Sequence, residues 1–567
     1  MPDQFADLEE FIREPRTAYF SMEIALRSDI PTYAGGLGVL AGDMVRTAAD
    51  LELPLVAVTL VSRDGYFRQD IDAQGRQIEH ADSWNPAEHC RPLNAAVAIS
   101  IEGRTVWVFG WLFVASGSTG TTPVILLDTD FPMNQPEDRM ITSHLYGGDQ
   151  AYRLKQEAVL GMGGMHVLQA LGFTVNQYHM NEGHAALLGL SLLRAYRYRP
   201  HELRPGESPY DLHRVRHLCN FTTHTPIESG HDKFSYELVR QVLGDIVELS
   251  TLKALAGEQA LNMTMLALNL SDYVNGVAKR HAEVSEKLFP GFQVHAITNG
   301  VHPFTWTCAS FAKLFDTYAP GWAHAPELLI RADTIPDDKV LSAHLEAKER
   351  LIAAVKSVSN VALDPELPII GYARRMTAYK RPELLFSDLE QLRRISRRYP
   401  FQIVLAGKAH PQDQPGKELI KRLHDYAREL QGLVAVAFIP NYDMQSAATM
   451  VAGVDVWLNT PLPPLEASGT SGMKAAFNGV PQLSVLDGWW VEGCIEGVTG
   501  WAIGEPSQSP EFHAQALYDK LEQVVLSRFY EDRPGWLLTM KSVIAKNAVS
   551  FNSHRMMRRY VTEAYLR

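Results

Sequence analysis

Residues 463–479, PPLEASGTSGMKAAFNG, hold an acid (Glu466), a run of small residues (Ser468 to Gly472) and a lysine (Lys474) in one short stretch. The pattern reads as a glycine-rich loop opening a helix. The first N–H groups of a helix lack intrahelical partners, and small residues let an anion approach them, so the place suits phosphate. It is not a Walker A loop, because no Ser or Thr follows the lysine. Taken alone, it fits an ordinary loop with a surface lysine equally well. A second candidate, RRMTAYKRPELL, crowds Arg374, Arg375 and Lys380 into a strand-to-helix loop with no acid before Glu383. Pro382 suits the first turn of a following helix, so cations and helix dipole would together attract an oxyanion.

Two further patterns are weaker: a glycine loop that fits a plain strand-to-helix turn as well as a ligand contact, and a set of histidine loops. In TYAGGLGVLAGDMV, Gly35, Gly36 and Gly38 open a helix and permit close backbone approach to a ligand. The segments HMNEGHAALL and FTTHTPIESGHDKF put Glu182, His184, His224 and His231 near element ends. Histidines beside small polar residues suit sugar hydroxyls, as does Asn299 in AITNGVHPFTW, whose amide both donates and accepts. Only Glu182 and His184 have metal-like spacing, and no third ligand accompanies them, so no metal is expected.

The elements that carry these residues follow from length and patterning. A chain of 567 residues exceeds one ordinary core. With 46% hydrophobic and 21% charged residues it has a globular composition. The formal charge of −12 gives no basic field for nucleic acid or an anionic membrane, so any anion site is local. Cys90, Cys219, Cys308 and Cys494 show neither zinc spacing nor a disulfide framework. The start, MPDQFADLEEFIREP, lacks the regions of a signal peptide, and no apolar run is long enough to span a bilayer. A cytoplasmic protein is expected.

Short β-branched runs alternate with helical patterns: PLVAVTLV, TVWVFGWLFV and TPVILLD, then a helix around AYRLKQEAVLGMGGMHVLQALG. A second series, LPIIGYA, FQIVLAGK, VAVAFIP, VDVWLNT and PQLSVLD, begins near residue 367. The alternation implies an α/β chain with mainly parallel sheets. The expected organisation is a first Rossmann-like domain over 1–345, a second over 346–535, and a helical segment over 536–567 that crosses back. Ligands of such sheets collect beyond the carboxyl ends of the strands.

Assembled, these segments resemble the α-glucan phosphorylases, the family of glycogen, starch and maltodextrin phosphorylases, and most of all its short bacterial and archaeal branch. AYFSMEIAL, GGLGVLAGD, GYFRQDID, LYGGDQAYRLKQE, MNEGHAALL, FTTHTP, VNGVAKRH, ITNGVHP, RRMTAYKR and EASGTSGMKAAFNG occur in family order over nearly the whole chain. The resemblance implies two doubly wound domains facing a central cleft, the GT-B fold. It also implies that Lys474 holds pyridoxal 5′-phosphate covalently, with Thr470, Ser471 and Gly472 cradling the cofactor phosphate and Arg374 touching it. Arg375 and Lys380 match the residues that bind substrate phosphate. Gly35, Gly36 and Leu37 match the loop that closes over the phosphate, with Gly35 on the cofactor side. Glu466, Ser468, Gly469, His224 and Asn299 match contacts of the terminal glucose. Glu182 and His184 align with an Asp and a His of the animal enzymes.

The implied reaction is reversible, retaining phosphorolysis of the non-reducing-end glucose of an α-1,4-glucan to glucose 1-phosphate. In this family the cofactor's phosphate exchanges a proton with the substrate phosphate, which protonates the leaving oxygen. Three basic side chains and two helix N-termini would offset the repulsion between the phosphates. Glucan or maltodextrin and inorganic phosphate are the implied partners; the family often forms dimers, and the residues leave a homodimer open. The loop reads GTSGMK where animal enzymes have a different pair before Met-Lys, and their control sites find no match, so an unregulated enzyme is expected. The rival reading is a nucleotide-sugar-dependent transferase of the glycogen synthase type, which shares the fold, a Gly-Gly-Leu-Gly loop and an Arg-x4-Lys pair. Trp489, Trp490 and Trp501 are equally compatible with a site border and with core.

Overall fold

The computed structural model describes residues 8–566 apart from 200, 202, 205, 506 and 507. The acidic N-terminal stretch read above falls partly on residues 1–7, outside the described residues. The first sheet contains, in chain order, β1 (Arg16–Ser21), β2 (Leu55–Leu60), β3 (Arg91–Ile101), β4 (Arg104–Ser116), β5 (Thr121–Asp128), β6 (Val175–Asn181), β7 (Cys219–Thr222), β8 (Tyr273–Gly276) and β9 (His295–Ala296). Their spatial order is β9-β8-β7-β6-β1-β2-β5-β4-β3. Pairing is parallel from β9 to β5, whereas β4 and β3 add an antiparallel hairpin at one edge. β1 and β2 are buried at every position because helices cover both faces, while β4 alternates because its outer face is only half covered.

The second sheet contains β10 (Ile369–Ala373), β11 (Gln402–Ala406), β12 (Ala435–Ile439), β13 (Val456–Asn459), β14 (Gln482–Val485) and β15 (Gly500–Ile503). All pairs are parallel, in the order β12-β11-β10-β13-β14-β15. The first five strands are those expected from their apolar runs. β15 lies inside the segment whose tryptophans left its role open, and the structure decides the matter: Trp489, Trp490 and Trp501 are at most 1% exposed. They are core, packed as an aromatic cluster with Phe551 and Trp536.

Each sheet has a point where strand order reverses, between β1 and β6 in the first and between β10 and β13 in the second. The loops that leave those strands open a crevice at their carboxyl ends, which is where both sets of candidate residues sit. Two devices hold the halves in register. The hairpin Arg68–Ile71/Gln77–His80 leaves the first half and inserts two glutamines into the second. Gln69 exchanges hydrogen bonds with Asn441, and Gln77 exchanges them with the backbone of Ala409, so each side chain mimics a strand edge.

The chain's end supplies the other device. Helix Ser553–Tyr560 packs with helix Gly36–Asp50 in one apolar cluster built on β1 and β2. A buried polar joint backs it: His302 and His554 each bring Nε2 to the same Asp50 oxygen, at 2.7 and 3.0 Å. Their Nδ1 atoms meet Thr305 and the His324 carbonyl. Both imidazoles are thereby oriented within a closed hydrogen-bonded cluster.

Candidate active site

A cavity of about 1250 Å³ lies between the two sheets, and every expected site residue except Gly472 lines it. At its floor is Lys474, on the short helix Ser471–Ala476. Its Nζ stands 4.1 Å above the centre of the Trp306 ring and makes no hydrogen bond or ion pair among the described residues. Trp306 in turn donates its indole N–H to Asp43 at 2.8 Å. Burial pulls the Lys474 ammonium down to about 8, against a weaker opposing pull from Asp43. Gly472 faces the other way: a Cβ there would lie 1.5 Å from Gln482 Oε1, so its bare backbone lets the helix sit on β14.

The basic loop after β10 is folded differently from expectation. Pro382 does not open an α-helix; Arg381 adopts a left-handed φ of 49°, a 3₁₀ turn follows at Leu384–Phe386, and the helix begins at Leu389 behind its Asp388 cap. The cations therefore gain no dipole from that helix. Their field comes from each other and is balanced by Glu466, whose Oε2 takes Lys380 at 2.7 Å and Arg374 at 2.5 Å. Burial raises the Glu466 pKa, but the two cations outweigh it and the net shift is downward, so the carboxylate stays charged. Arg374 keeps its Nη1 buried and unpartnered. Arg375 is exposed to the cavity, with its Nη2 above Gly35.

Two helix N-termini face the cavity, at Gly36–Asp50 and Ser471–Ala476. The first follows a loop whose geometry depends on Glu23, which sequence reasoning did not single out. Glu23 accepts the N–H groups of Ala34 and Gly35 and the hydroxyl of Tyr146. Asp487, also missed, accepts the N–H of Glu466 at 2.8 Å and that of Gly488 at 2.9 Å. Burial raises Asp487 to about 6, and the neighbouring Glu466 adds to the rise. Each acid lies two residues beyond the end of a buried strand, a signal that could have marked it.

On the opposite wall, Glu182 has a φ of 74°, rare for a side-chain-bearing residue, at the end of β6. Its carboxylate holds that bend together by accepting from Gly183 N, His224 N and the Thr225 hydroxyl. Burial raises it. His224 Nε2 lies 2.6 Å from Asn181 Oδ1, a partner adjacent to Glu182 that the sequence reading passed over. Burial pulls His224 down to about 3, so the ring is neutral, and donation from Nε2 leaves Nδ1 as an acceptor. His184, likewise lowered to about 3 by burial, stands 3.5 Å from Asp232 with its Nδ1 unpartnered. Asn299 Oδ1 and Ser468 Oγ are also buried without a partner. Unsatisfied polar atoms gathered round one cavity are what a polar ligand would complete.

Comparison with known proteins decides the family. A sequence model of the carbohydrate phosphorylases matches residues 210–498. The maltodextrin phosphorylase of Thermococcus litoralis is 39% identical over 97% of this chain and 70% of its own. The chain belongs to the carbohydrate phosphorylase family. A glycogen phosphorylase of Aquifex aeolicus is 35% identical over 98% of this chain and 87% of its own. An uncharacterised protein of Methanocaldococcus jannaschii is 30% identical over 97% and 99%. The phosphorylase fold is the expected one, with two doubly wound bodies and the cavity between them. Among the described residues of this phosphorylase-family chain, no helix is long and apolar enough to cross a membrane.

Proposed function

We propose that the chain catalyses reversible, retaining phosphorolysis of the terminal glucose of an α-1,4-glucan or maltodextrin, giving glucose 1-phosphate, with pyridoxal 5′-phosphate held on Lys474. The observation that carries this reading is Lys474 itself, a buried amine at about 8 with no acceptor among the described residues, lining one cavity with Arg374, Arg375 and Lys380. A nucleotide-sugar-dependent transferase has no use for such a group. The four free cysteines, of which Cys219 is buried and the others partly so, suit a reducing cytoplasmic compartment.

The residues fit the cofactor. Lys474 supplies an amine that deprotonates readily, and Arg374 Nη1 is a buried polar atom without a partner among the described residues. When bound, the cofactor supplies through its phosphate an acid–base group beside the substrate phosphate. Arg375 and the free N–H groups of Gly36 and Leu37 would hold the substrate phosphate, with Lys380 neutralising charge from the other side. Neutral His224 and Asn299 would orient glucose hydroxyls. Glu466, held by two cations, is a hydroxyl acceptor rather than a proton donor.

The test is direct. Purified protein supplied with pyridoxal phosphate is incubated with maltoheptaose and inorganic phosphate, and in parallel with UDP- or ADP-glucose. Glucose 1-phosphate from the first mixture alone supports the reading. Chain extension from a nucleotide donor, with no phosphorolysis, refutes it.

A further inference from the structure

Glu23 follows β1 and is 2% exposed, a carboxylate without an ion pair among the described residues. Its Oε2 accepts Ala34 N at 2.5 Å and Gly35 N at 3.1 Å, and its Oε1 accepts the Tyr146 hydroxyl at 2.9 Å. The glycine loop is shaped around it. A Cβ on Gly38 would lie 2.7 Å from Glu23 Oε2, so the bare backbone of Gly38 is what admits the carboxylate. Tyr146 is itself in a left-handed conformation, φ 56°, and is braced by the Arg153 guanidinium 4.4 Å over its ring. Holding a non-glycine residue there costs energy that its contacts must offset.

The consequence concerns which donors remain. Ala34 and Gly35 turn their N–H groups inward to Glu23. Gly36 and Leu37, the first residues of the helix Gly36–Asp50, have N–H groups without intrahelical partners, and both residues line the cavity. Arg375 crosses above Gly35, where a Cβ would lie 3.6 Å from its Nη2. Fixing the loop inward at 34 and 35 thus sets the donors at 36 and 37 opposite the guanidinium.

We propose that Glu23 and Tyr146 are positioning residues that hold the Gly35–Leu37 loop in its phosphate-binding shape. Neither touches the phosphate. The inference rests on the phosphorolysis reading and assigns two residues within it.

The experiment compares steady-state phosphorolysis by the wild-type holoenzyme, Glu23→Gln and Tyr146→Phe, varying inorganic phosphate and maltoheptaose separately. Glu23→Gln keeps the side-chain size but replaces the charged acceptor by a neutral amide with one oxygen, so it cannot accept from both the backbone N–H groups and the Tyr146 hydroxyl and loses the charge that strengthens those bonds. The KM for phosphate should rise about tenfold or more, with the KM for maltoheptaose within about twofold of wild type. Tyr146→Phe removes one of three bonds, so its phosphate KM should rise by a smaller factor, about threefold, in a protein that folds normally. Equal changes in both KM values, or an unchanged phosphate KM in both variants, overturn the inference. An inactive wild-type holoenzyme fails the functional reading instead, and the two failures are distinguishable.

Discussion

A single oxygen of Glu466 lies 2.7 Å from the ammonium of Lys380, and the same atom receives Arg374. The carboxylate expected to read glucose hydroxyls is therefore also the counter-charge of the two cations expected to serve phosphate. Under the proposed function, sugar recognition and anion binding would meet in one side chain. Removing it leaves two buried cations unpaired, which in comparable sites costs about 3–5 kcal/mol. Glu466→Ala should unfold at a markedly lower temperature than wild type, and millimolar phosphate should recover more stability in the variant than in wild type. An equal phosphate response in both would show that the cations do not depend on Glu466.

Arg375 is the cation not committed to Glu466. Arg375→Ala should raise the KM for phosphate by about a hundredfold while leaving the glucan KM within a few-fold, because a charge-assisted contact is lost on one substrate only. Initial-rate kinetics with each substrate varied in turn measures this. Parallel losses for both substrates would remove Arg375 from the anion site.

Asp487 gives the site a pH limit. Burial and the nearby Glu466 raise it to about 6, so the fold disfavours its charged form. The stability linked to its protonation is fully present only below the ordinary carboxyl value of about 3.9 and is lost as pH rises from there through about 6, whereas its acceptor role toward Glu466 N is strongest as the carboxylate. Activity should therefore fall as pH drops through about 6. In Asp487→Asn that acidic limb should vanish from the pH profile of kcat/KM, at a lower overall rate. A limb unchanged in the variant would assign it to another group.

Lys474 sets the pH dependence of cofactor loading. The ammonium is held down to about 8, so the neutral amine dominates above that pH rather than above its ordinary value near 10.4. The rate at which apoprotein takes up pyridoxal phosphate should climb with pH and level off just above 8. Trp306→Leu keeps an apolar floor but removes the ring beneath the amine, and should shift that midpoint. A loading rate that climbs steadily to pH 10 would mean Lys474 is not desolvated.

Much of this was legible because the signals were local. Four of the second sheet's first five strands are short, largely apolar runs buried at every position, the edge strand β12 being only partly buried at its start, and the helix opening at Ser471 follows from small residues before MKAAF. Non-local relationships were not legible. Nothing in RRMTAYKRPELL says that Arg381 turns left-handed and delays the helix to Leu389, because Pro382 suits a tight turn as well as a first helical turn. β15 was hidden because its Trp501, like the nearby Trp489 and Trp490, suits a sugar platform and a core equally until neighbours are known. Glu23, Asp487 and Asn181 bond residues far away in sequence, 123 positions for Tyr146 to Glu23 and 160 for Asn181 to Ser21. Only the topology brings such partners together.

The central claim is that Lys474 is the cofactor lysine of a phosphorylase. The measurement that tests it most directly is borohydride reduction of the purified protein after incubation with pyridoxal phosphate, followed by peptide mass mapping. The account expects one pyridoxyl adduct, on the peptide containing Lys474, and none in Lys474→Ala. An adduct confined to other lysines, or no adduct at all, would contradict it.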